Sequence, residues 1–245
     1  MKEIVSSEQG AADVSAQSMD AQKECAEEEK GGKRDIRKMI VAYIKRYLIL
    51  VVGLCIMSIG VAFSIKAGLG TSPISSVPYV LNLITGLSVG TTTIIANSVI
   101  VLLQILILRK KCQPIQLLQV LVAVVFGLLT DVAVWCVEGV VLTAYWQQWL
   151  AGIVLVAVGV SFEVAAHVVT LPGEGLALAL CRVIRLKFGY MKVIVDVSLV
   201  IIAVALSFGF LHGLQGVREG TLAAAIFVGL LAKQFNRLTV PLAAR

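Results

Sequence analysis

Two carboxylates lie inside long apolar stretches of this chain, where a charged side chain is costly. Asp196 lies in the apolar run Met191–Phe210, and Glu163 lies in the run Trp149–Val169. An ionisable residue at that depth usually faces a cavity or the interior of a helix bundle. Each carboxylate could therefore bind a solute, or it could form a buried polar contact that fixes helix packing.

Two breaks that contain glycine and proline carry the other candidate binding residues. Ser72 and Pro73 have the form of a helix start, with Ser as N-cap and Pro at the first helical position. In the second break Glu174 follows Pro172, near the positive end of the next helix dipole. The breaks are either ordinary loop-to-helix junctions or the lining of a cavity for a polar or anionic ligand. Together with Asn97, the candidate substrate-binding residues are Gly68, Gly70, Thr71, Ser72, Pro73, Asn97, Glu163, Thr170, Pro172, Gly173, Glu174, Gly175 and Asp196.

A repeat relates the two breaks and the two polar positions Asn97 and Asp196. The displacement is a constant 99 residues, without a gap, and it indicates two homologous halves. The residues of the first half that recur are Gly53, Gly60, Phe63, Thr71, Pro73 and Gly90, and their counterparts are Gly152, Gly159, Phe162, Thr170, Pro172 and Gly189.

The composition excludes a water-soluble fold. Hydrophobic residues make up 58% of the chain and the mean hydropathy is +0.93, against about 45–50% apolar residues in soluble domains. The net charge of +6 comes from short basic clusters between apolar runs, which favours an acidic membrane face over nucleic acid. The five cysteines are scattered and form neither a disulfide framework nor a metal-binding pair.

The hydropathy pattern predicts an all-α polytopic membrane protein. Two shorter stretches, Pro73–Leu87 and Pro172–Leu186, follow the breaks at equivalent places in the two halves. Six longer runs could cross a bilayer. They are Tyr47–Ile65, Val89–Leu108, Ile115–Val137, Trp149–Val169, Met191–Phe210 and about Gln215–Ala232.

Two topologies follow from the short stretches. If both cross the membrane, the halves are parallel with four helices each, and the basic cluster Arg109–Lys111 faces outside. If both are re-entrant or interfacial half-helices, each half has three spans and the halves are inverted. The basic clusters at 109–111 and 182–192 and both termini then face the cytoplasm, with Lys66 and Arg218 as minor exceptions. The bias of Lys and Arg toward cytoplasmic loops favours the inverted topology.

The domain boundaries follow from the repeat and from a polar, mixed-charge start of the chain. Residues 1–37 are expected to be a disordered cytoplasmic tail, since they contain no apolar segment. Residues 38–137 form the first membrane repeat and residues 138–245 form the second. The repeat glycines allow close helix approach, either in a homodimer or within one chain.

Catalytic and metal-binding chemistry find little support in the sequence. The chain contains neither a nucleophile elbow nor a phosphate-binding loop, so we expect no enzymatic activity and no cofactor. Glu163 and His167 are one helical turn apart, but two residues are a weak metal signal, and no metal site is predicted. Asp131 lies near the outer end of its span, where its side chain is expected to reach water.

Several short motifs resemble the YitT/YczE-type bacterial membrane proteins over about Tyr47 to Ala232. The resemblance implies an integral protein of the bacterial cytoplasmic membrane whose molecular activity is generally unassigned. This chain departs from that family's pattern at 112–115, where relatives tend to carry a glycine-rich turn. The similar motifs are Gly68-Leu69-Gly70-Thr71-Ser72-Pro73, Thr85-Gly86-Leu87-Ser88-Val89-Gly90-Thr91, Gly127-Leu128-Leu129-Thr130-Asp131 and Leu171-Pro172-Gly173-Glu174-Gly175-Leu176.

Two functions from different classes fit these observations. The first is a permease or channel for a small polar or anionic solute, with its site at the interface of the inverted repeats. The second is a non-transporting membrane scaffold or accessory protein that assembles partners through the cytoplasmic tail and basic loops. A nucleic-acid partner is not expected, because no basic and aromatic platform for stacking bases occurs.

Overall fold

The computed structural model is all-helical over the residues that it describes, which are 39–109, 115–140, 144–184, 186 and 188–244. These ranges contain no strand, which confirms the predicted all-α class. The predicted tail, residues 1–37, lies outside the described residues. Residues 46–245 form one compact unit, and residues 39–45 begin the first helix. The helices are α1 Met39–Ala67, α2 Pro73–Thr85, α3 Val89–Leu108, α4 Ile115–Glu138, α5 Tyr145–Ala166, α6 Pro172–Ile184, α7 Phe188–Leu211 and α8 Glu219–Ala244.

Five of these helices are long and apolar enough to cross a membrane, namely α1, α3, α4, α5 and α7. Their outer faces carry large apolar side chains, and Leu102, Leu106 and Val193 are each more than 60% exposed. Soluble proteins rarely present so much contiguous apolar surface to solvent. The chain is therefore a multi-pass membrane protein whose exposed apolar faces meet lipid.

The sixth predicted span differs from the helix that is present. The run expected from about Gln215 is interrupted, since His212 and Gly216 have left-handed backbone angles and α8 begins only at Glu219. The described apolar part of α8, Glu219–Ala232, is shorter than a span. The fourth span is displaced toward the N-terminus, since α5 begins at Tyr145 instead of Trp149, and His167, at φ 50°, ends it at Ala166 instead of Val169.

The two short helices begin at the predicted prolines. Both α2 and α6 contain 13 residues and start at Pro73 and Pro172 respectively. At 1.5 Å per residue each is about 20 Å long, which is less than the roughly 30 Å of a bilayer's hydrocarbon core. Gly86, at φ 70°, ends α2 in the left-handed conformation that glycine adopts without strain. Ser72 is the N-cap of α2, but its hydroxyl bonds the Ser75 hydroxyl at 3.1 Å instead of a backbone N–H.

Repeat-equivalent helices α1 and α5 pack against each other through the repeat glycines. A Cβ atom on Gly53 would come within 3.0 Å of Gly159 O, and one on Gly60 would come within 2.8 Å of Gly152 O. The later glycine of α1 contacts the earlier glycine of α5, so the two helices are antiparallel. Of the two alternatives for these glycines, the structure shows packing within one chain.

Helices α3 and α4 are equally close, and a carboxylate on α4 accepts hydrogen bonds from the start of α3. A Cβ atom on Gly127 would lie 2.7 Å from Gly90 O. Asp131 accepts hydrogen bonds from Gly90 N at 2.6 Å and from the Ser88 hydroxyl at 2.7 Å. Asp131 therefore caps the positive end of α3. The sequence predicts only that this carboxylate reaches water; its contact with the unpaired N–H groups at the start of α3 is an additional role.

The two basic residues that were exceptions to the charge bias both bind backbone carbonyls. Lys66 Nζ donates to Val137 O at 2.7 Å and Glu138 O at 3.0 Å, at the end of α4. Arg218 Nη1 donates to Gly68 O at 3.2 Å. A cation at a helix C-terminus satisfies carbonyls that have no partner within the helix. Their positions therefore have a structural reason that is independent of topology.

Candidate functional site

One cavity of about 810 Å³ is lined by six of the polar side chains that the described helices bury, namely Ser75, Gln104, Gln116, Gln119, Glu163 and Glu174. Its wall is largely apolar and includes Met57, Phe126, Val156 and Leu178. Charged and amide side chains enter it from α3, α4, α5, α6 and α7. An enclosed, mainly apolar space with a few convergent polar groups is the usual form of a small-molecule site.

The cavity includes about half of the predicted binding residues. The start of α2 contributes Ser72 and Pro73, and the spans contribute Glu163 and Asp196. The other predicted residues that line it are Thr170, Glu174 and Gly175. Six predicted residues do not line it, namely Gly68, Gly70, Thr71, Asn97, Pro172 and Gly173.

Three of the residues that do not line the cavity have packing positions. Asn97 is buried in α3, only 3% exposed. A Cβ atom on Gly70 would lie 2.8 Å from Thr221 N, so Gly70 allows the loop before α2 to approach α8. Gly173 faces the side chain of Ile74 at the start of α2, where a Cβ atom would lie 3.1 Å away. These contacts explain the glycines without a ligand.

Neighbouring helices hold the N-terminus of α6 at the cavity wall. Glu163 Oε1, on α5, accepts a hydrogen bond from Leu171 N at 2.6 Å. Gln104 Nε2, on α3, donates to Pro172 O at 2.8 Å. The helix start was expected to attract a negatively charged group, and Glu163 of the same chain occupies that position. Glu174, in the first turn of α6, adds a second carboxylate there.

A lysine links the carboxylates of α6 and α7. Lys192 Nζ lies 3.5 Å from Glu174 Oε1 and 3.6 Å from Asp196 Oδ2. The three side chains are mostly buried, with exposed fractions of 27%, 8% and 16% respectively. Ion pairs shielded in this way are screened by salt less than surface pairs. Lys192 belongs to the predicted basic cluster 182–192 and lies in the second turn of α7, which begins at Phe188.

The suggested Glu163 and His167 pair does not share a helix face. Glu163 is within α5 and 1% exposed, whereas His167 follows the helix end and is exposed. Among the described residues, no group of three or more His, Cys, Asp and Glu residues could hold a metal ion. Both side chains nevertheless line the cavity.

Three glutamines in the cavity wall were missed by sequence reasoning. Gln104, Gln116 and Gln119 all line the cavity and are at most 5% exposed. Each lies within an apolar helix, and a buried amide in a membrane span is itself a signal of a helix contact or a cavity. The spacing of Lys192 four residues before Asp196 was a further signal, because residues four apart share a helix face.

Comparison with known proteins gives a family but no activity. Residues 44–237 match a family of unknown function, DUF6198. The uncharacterized protein YyaS of Bacillus subtilis (strain 168) is 24% identical over 197 residues, which cover 78% of this chain and 92% of that protein. No solved structure matches the chain.

Proposed function

The chain belongs to DUF6198, a family of unknown function, and from its cavity we propose that it is a membrane permease for a small solute. The observation that carries this proposal is that the residues directly before both short helices, Ser72 before α2 and Leu171 before α6, line the same cavity as buried charged side chains. Helices that end within a membrane need protein or water around their unpaired N–H groups, and transporters use such ends at their binding sites.

Inverted halves are the second part of the proposal. Gly53 contacts Gly159, and Gly60 contacts Gly152. If each residue is replaced by its repeat equivalent, the first contact becomes the second and the second becomes the first. This is the relation expected of a two-fold axis between α1 and α5. The contacts of α2 with α7 and of α3 with α6 form a second pair of this kind. In this arrangement α2 and α6 are re-entrant half-helices.

A bacterial cytoplasmic membrane location, with α8 as the sixth crossing and both termini in the cytoplasm, completes the topology that we propose. It is supported by the basic residues at 109–111 and by the structural partners that Lys66 and Arg218 have on the other side. The relationship to the YitT/YczE-type proteins remains part of this proposal, carried by the break motifs. The scaffold alternative depends on the tail, which lies outside the described residues, and gains no further support.

Cysteine labelling tests the inverted topology. Lys111→Cys, in a chain whose native cysteines are replaced by serine, is expected to react with a membrane-impermeant maleimide only when the cytoplasmic side is accessible. Leu142→Cys, in the loop between the third and fourth spans, serves as the matched control and is expected to react from the opposite side. The reverse pattern, with Lys111→Cys labelled from the outside and Leu142→Cys from the cytoplasmic side, is that of parallel halves and would contradict inverted halves.

Transport itself is tested in proteoliposomes that contain the full chain. Vesicles are loaded with a mixture of small amines, amino acids and organic acids, and release is followed by mass spectrometry. At least one solute is expected to leave faster than from protein-free vesicles. Asp196→Asn is expected to slow that release by about tenfold, the effect of losing ~1.4 kcal/mol of interaction.

The matched control for transport is Glu138→Gln, a carboxylate at the exposed end of α4 that does not line the cavity. This variant is expected to transport like the wild type. The permease proposal fails if no solute leaves faster than from protein-free vesicles, or if the two variants and the wild type transport equally well.

A further inference from the structure

The cavity wall holds buried acceptor atoms that lack a donor. Glu163 is 1% exposed, and while Oε1 accepts from Leu171 N, its second oxygen, Oε2, has no hydrogen-bond partner among the described residues. Gln119 is 5% exposed, and its Oε1 likewise finds no donor in the described part of the chain. A buried acceptor without a donor is costly, so two in one cavity indicate a missing donor group.

The charges of the cavity point the same way. Three carboxylates line it, those of Glu163, Glu174 and Asp196, against the two basic side chains of Lys192 and Arg182. Lys192 lies between Glu174 and Asp196, within 3.6 Å of each. The carboxyl groups therefore outnumber the basic side chains that could pair with them, and their oxygens offer acceptors to a ligand that donates hydrogen bonds.

An anion is disfavoured at the place where a helix dipole would otherwise attract it. The N–H of Leu171, at the start of α6, already donates to Glu163 Oε1. Glu174 adds negative charge in the same turn. A ligand carboxylate or phosphate there would have to displace one carboxylate and approach another.

We propose that the cavity binds a small organic ammonium ion with an apolar body, whose N–H groups donate to Glu163 Oε2 and Gln119 Oε1. This inference rests on the proposed permease function and names the class of its substrate. The apolar body lies against the wall that includes Met57, Phe126 and Leu178. The recognition requires N–H donors as well as positive charge, so primary amines are favoured over quaternary ones.

Calorimetric binding to the purified full chain in detergent tests this chemistry with four probes of similar size. They are 2-phenylethylammonium, its N,N,N-trimethyl analogue, neutral 2-phenylethanol and anionic 3-phenylpropionate. The primary ammonium is expected to bind most tightly. Glu163→Gln keeps an acceptor for Leu171 N and is expected to weaken its binding about tenfold, the effect of one hydrogen bond to a charged group.

Gln119→Leu provides an independent variant should Glu163→Gln fail to fold. It removes a neutral acceptor and is expected to weaken binding about fivefold. Glu138→Gln, outside the cavity, is the control and is expected to bind like the wild type. The inference is overturned if the carboxylate, the alcohol or the quaternary probe binds as tightly as the primary ammonium, or if none binds.

Flux of the same probes separates this inference from the permease proposal. We expect that 2-phenylethylammonium both binds tightly and exchanges across the membrane of proteoliposomes. Exchange of other solutes without ammonium binding would overturn the substrate class and leave the permease standing. Ammonium binding without exchange of any solute would uphold the binding chemistry and overturn the permease.

Discussion

Helices α3 and α4 of the first half are in close contact, whereas Gly189 on α7, the equivalent of Gly90 on α3, has no close neighbour among the described residues. In the first half, Gly90 lies directly against Gly127, and Asp131 joins the start of α3 to α4. The counterpart of Gly90 is Gly189, and within the described part of the chain no atom lies within 4 Å of the Cβ position there. Gly189 instead lines the cavity. Equivalent glycines of the two halves therefore have different surroundings, since Gly90 is packed against a neighbouring helix and Gly189 lines the cavity.

The same contrast holds for single side chains. Ser64, in the first half, donates to Gly60 O at 3.0 Å and is satisfied within its own helix. Its counterpart Glu163 has an oxygen that no described residue satisfies. The packed joint at Gly90 and the cavity residue Gln104 are both on α3, and 14 residues separate them, or about 20 Å at 1.5 Å per residue. One end of α3 is therefore tightly packed, and the other end lines the cavity.

The largest difference between the two halves is expected when one methyl group is added to each of the equivalent glycines, Gly90 and Gly189. Gly90→Ala forces a Cβ atom into the backbone of Gly127 and is expected to destabilise the protein by about 3 kcal/mol. Gly189→Ala meets open space and is expected to change stability by less than about 1 kcal/mol. Unfolding in a mixture of detergent and denaturant measures both. Equal losses would contradict the distinction between the halves.

The carboxylates of the two halves provide a second test. Asp131→Asn removes the charged cap of α3 and is expected to cost about 1–2 kcal/mol of unfolding free energy. Asp196→Asn leaves Lys192 its contact with Glu174 and is expected to change stability by less than about 1 kcal/mol. The same unfolding assay compares them. A larger loss for Asp196→Asn would make Asp196 a packing residue.

The smallest expected effect concerns the hydrogen bonds that Lys66, on α1, donates to the end of α4 in the first half. Lys66→Met removes the cation that binds the carbonyls at the end of α4 and is expected to cost about 1 kcal/mol. The equivalent position in the second half is Ala165, where Ala165→Gly serves as a control for helix propensity alone, also about 1 kcal/mol. A proteolysis assay of the loop after α4 separates them, because only Lys66→Met is expected to increase cleavage there.

Much of the fold could be predicted because its signals are local. The span Val89–Leu108 has the predicted bounds, and both short helices start at the predicted prolines. Apolar runs set where helices lie, and proline sets where they start. The end of α5 was placed too late because nothing in the residues before His167 announces its left-handed backbone.

The sequence by itself determined the membrane class, the repeat and the helix breaks, since hydropathy and backbone restrictions act between near neighbours. Only the tertiary structure decided which polar residues meet. Asp196 and its counterpart Asn97 occupy equivalent positions, yet one lines the cavity and the other is buried outside it. Gln104 and Gln119 join the site through the rotation and packing of α3 and α4. That rotation depends on contacts between helices far apart in the chain, which no local pattern records.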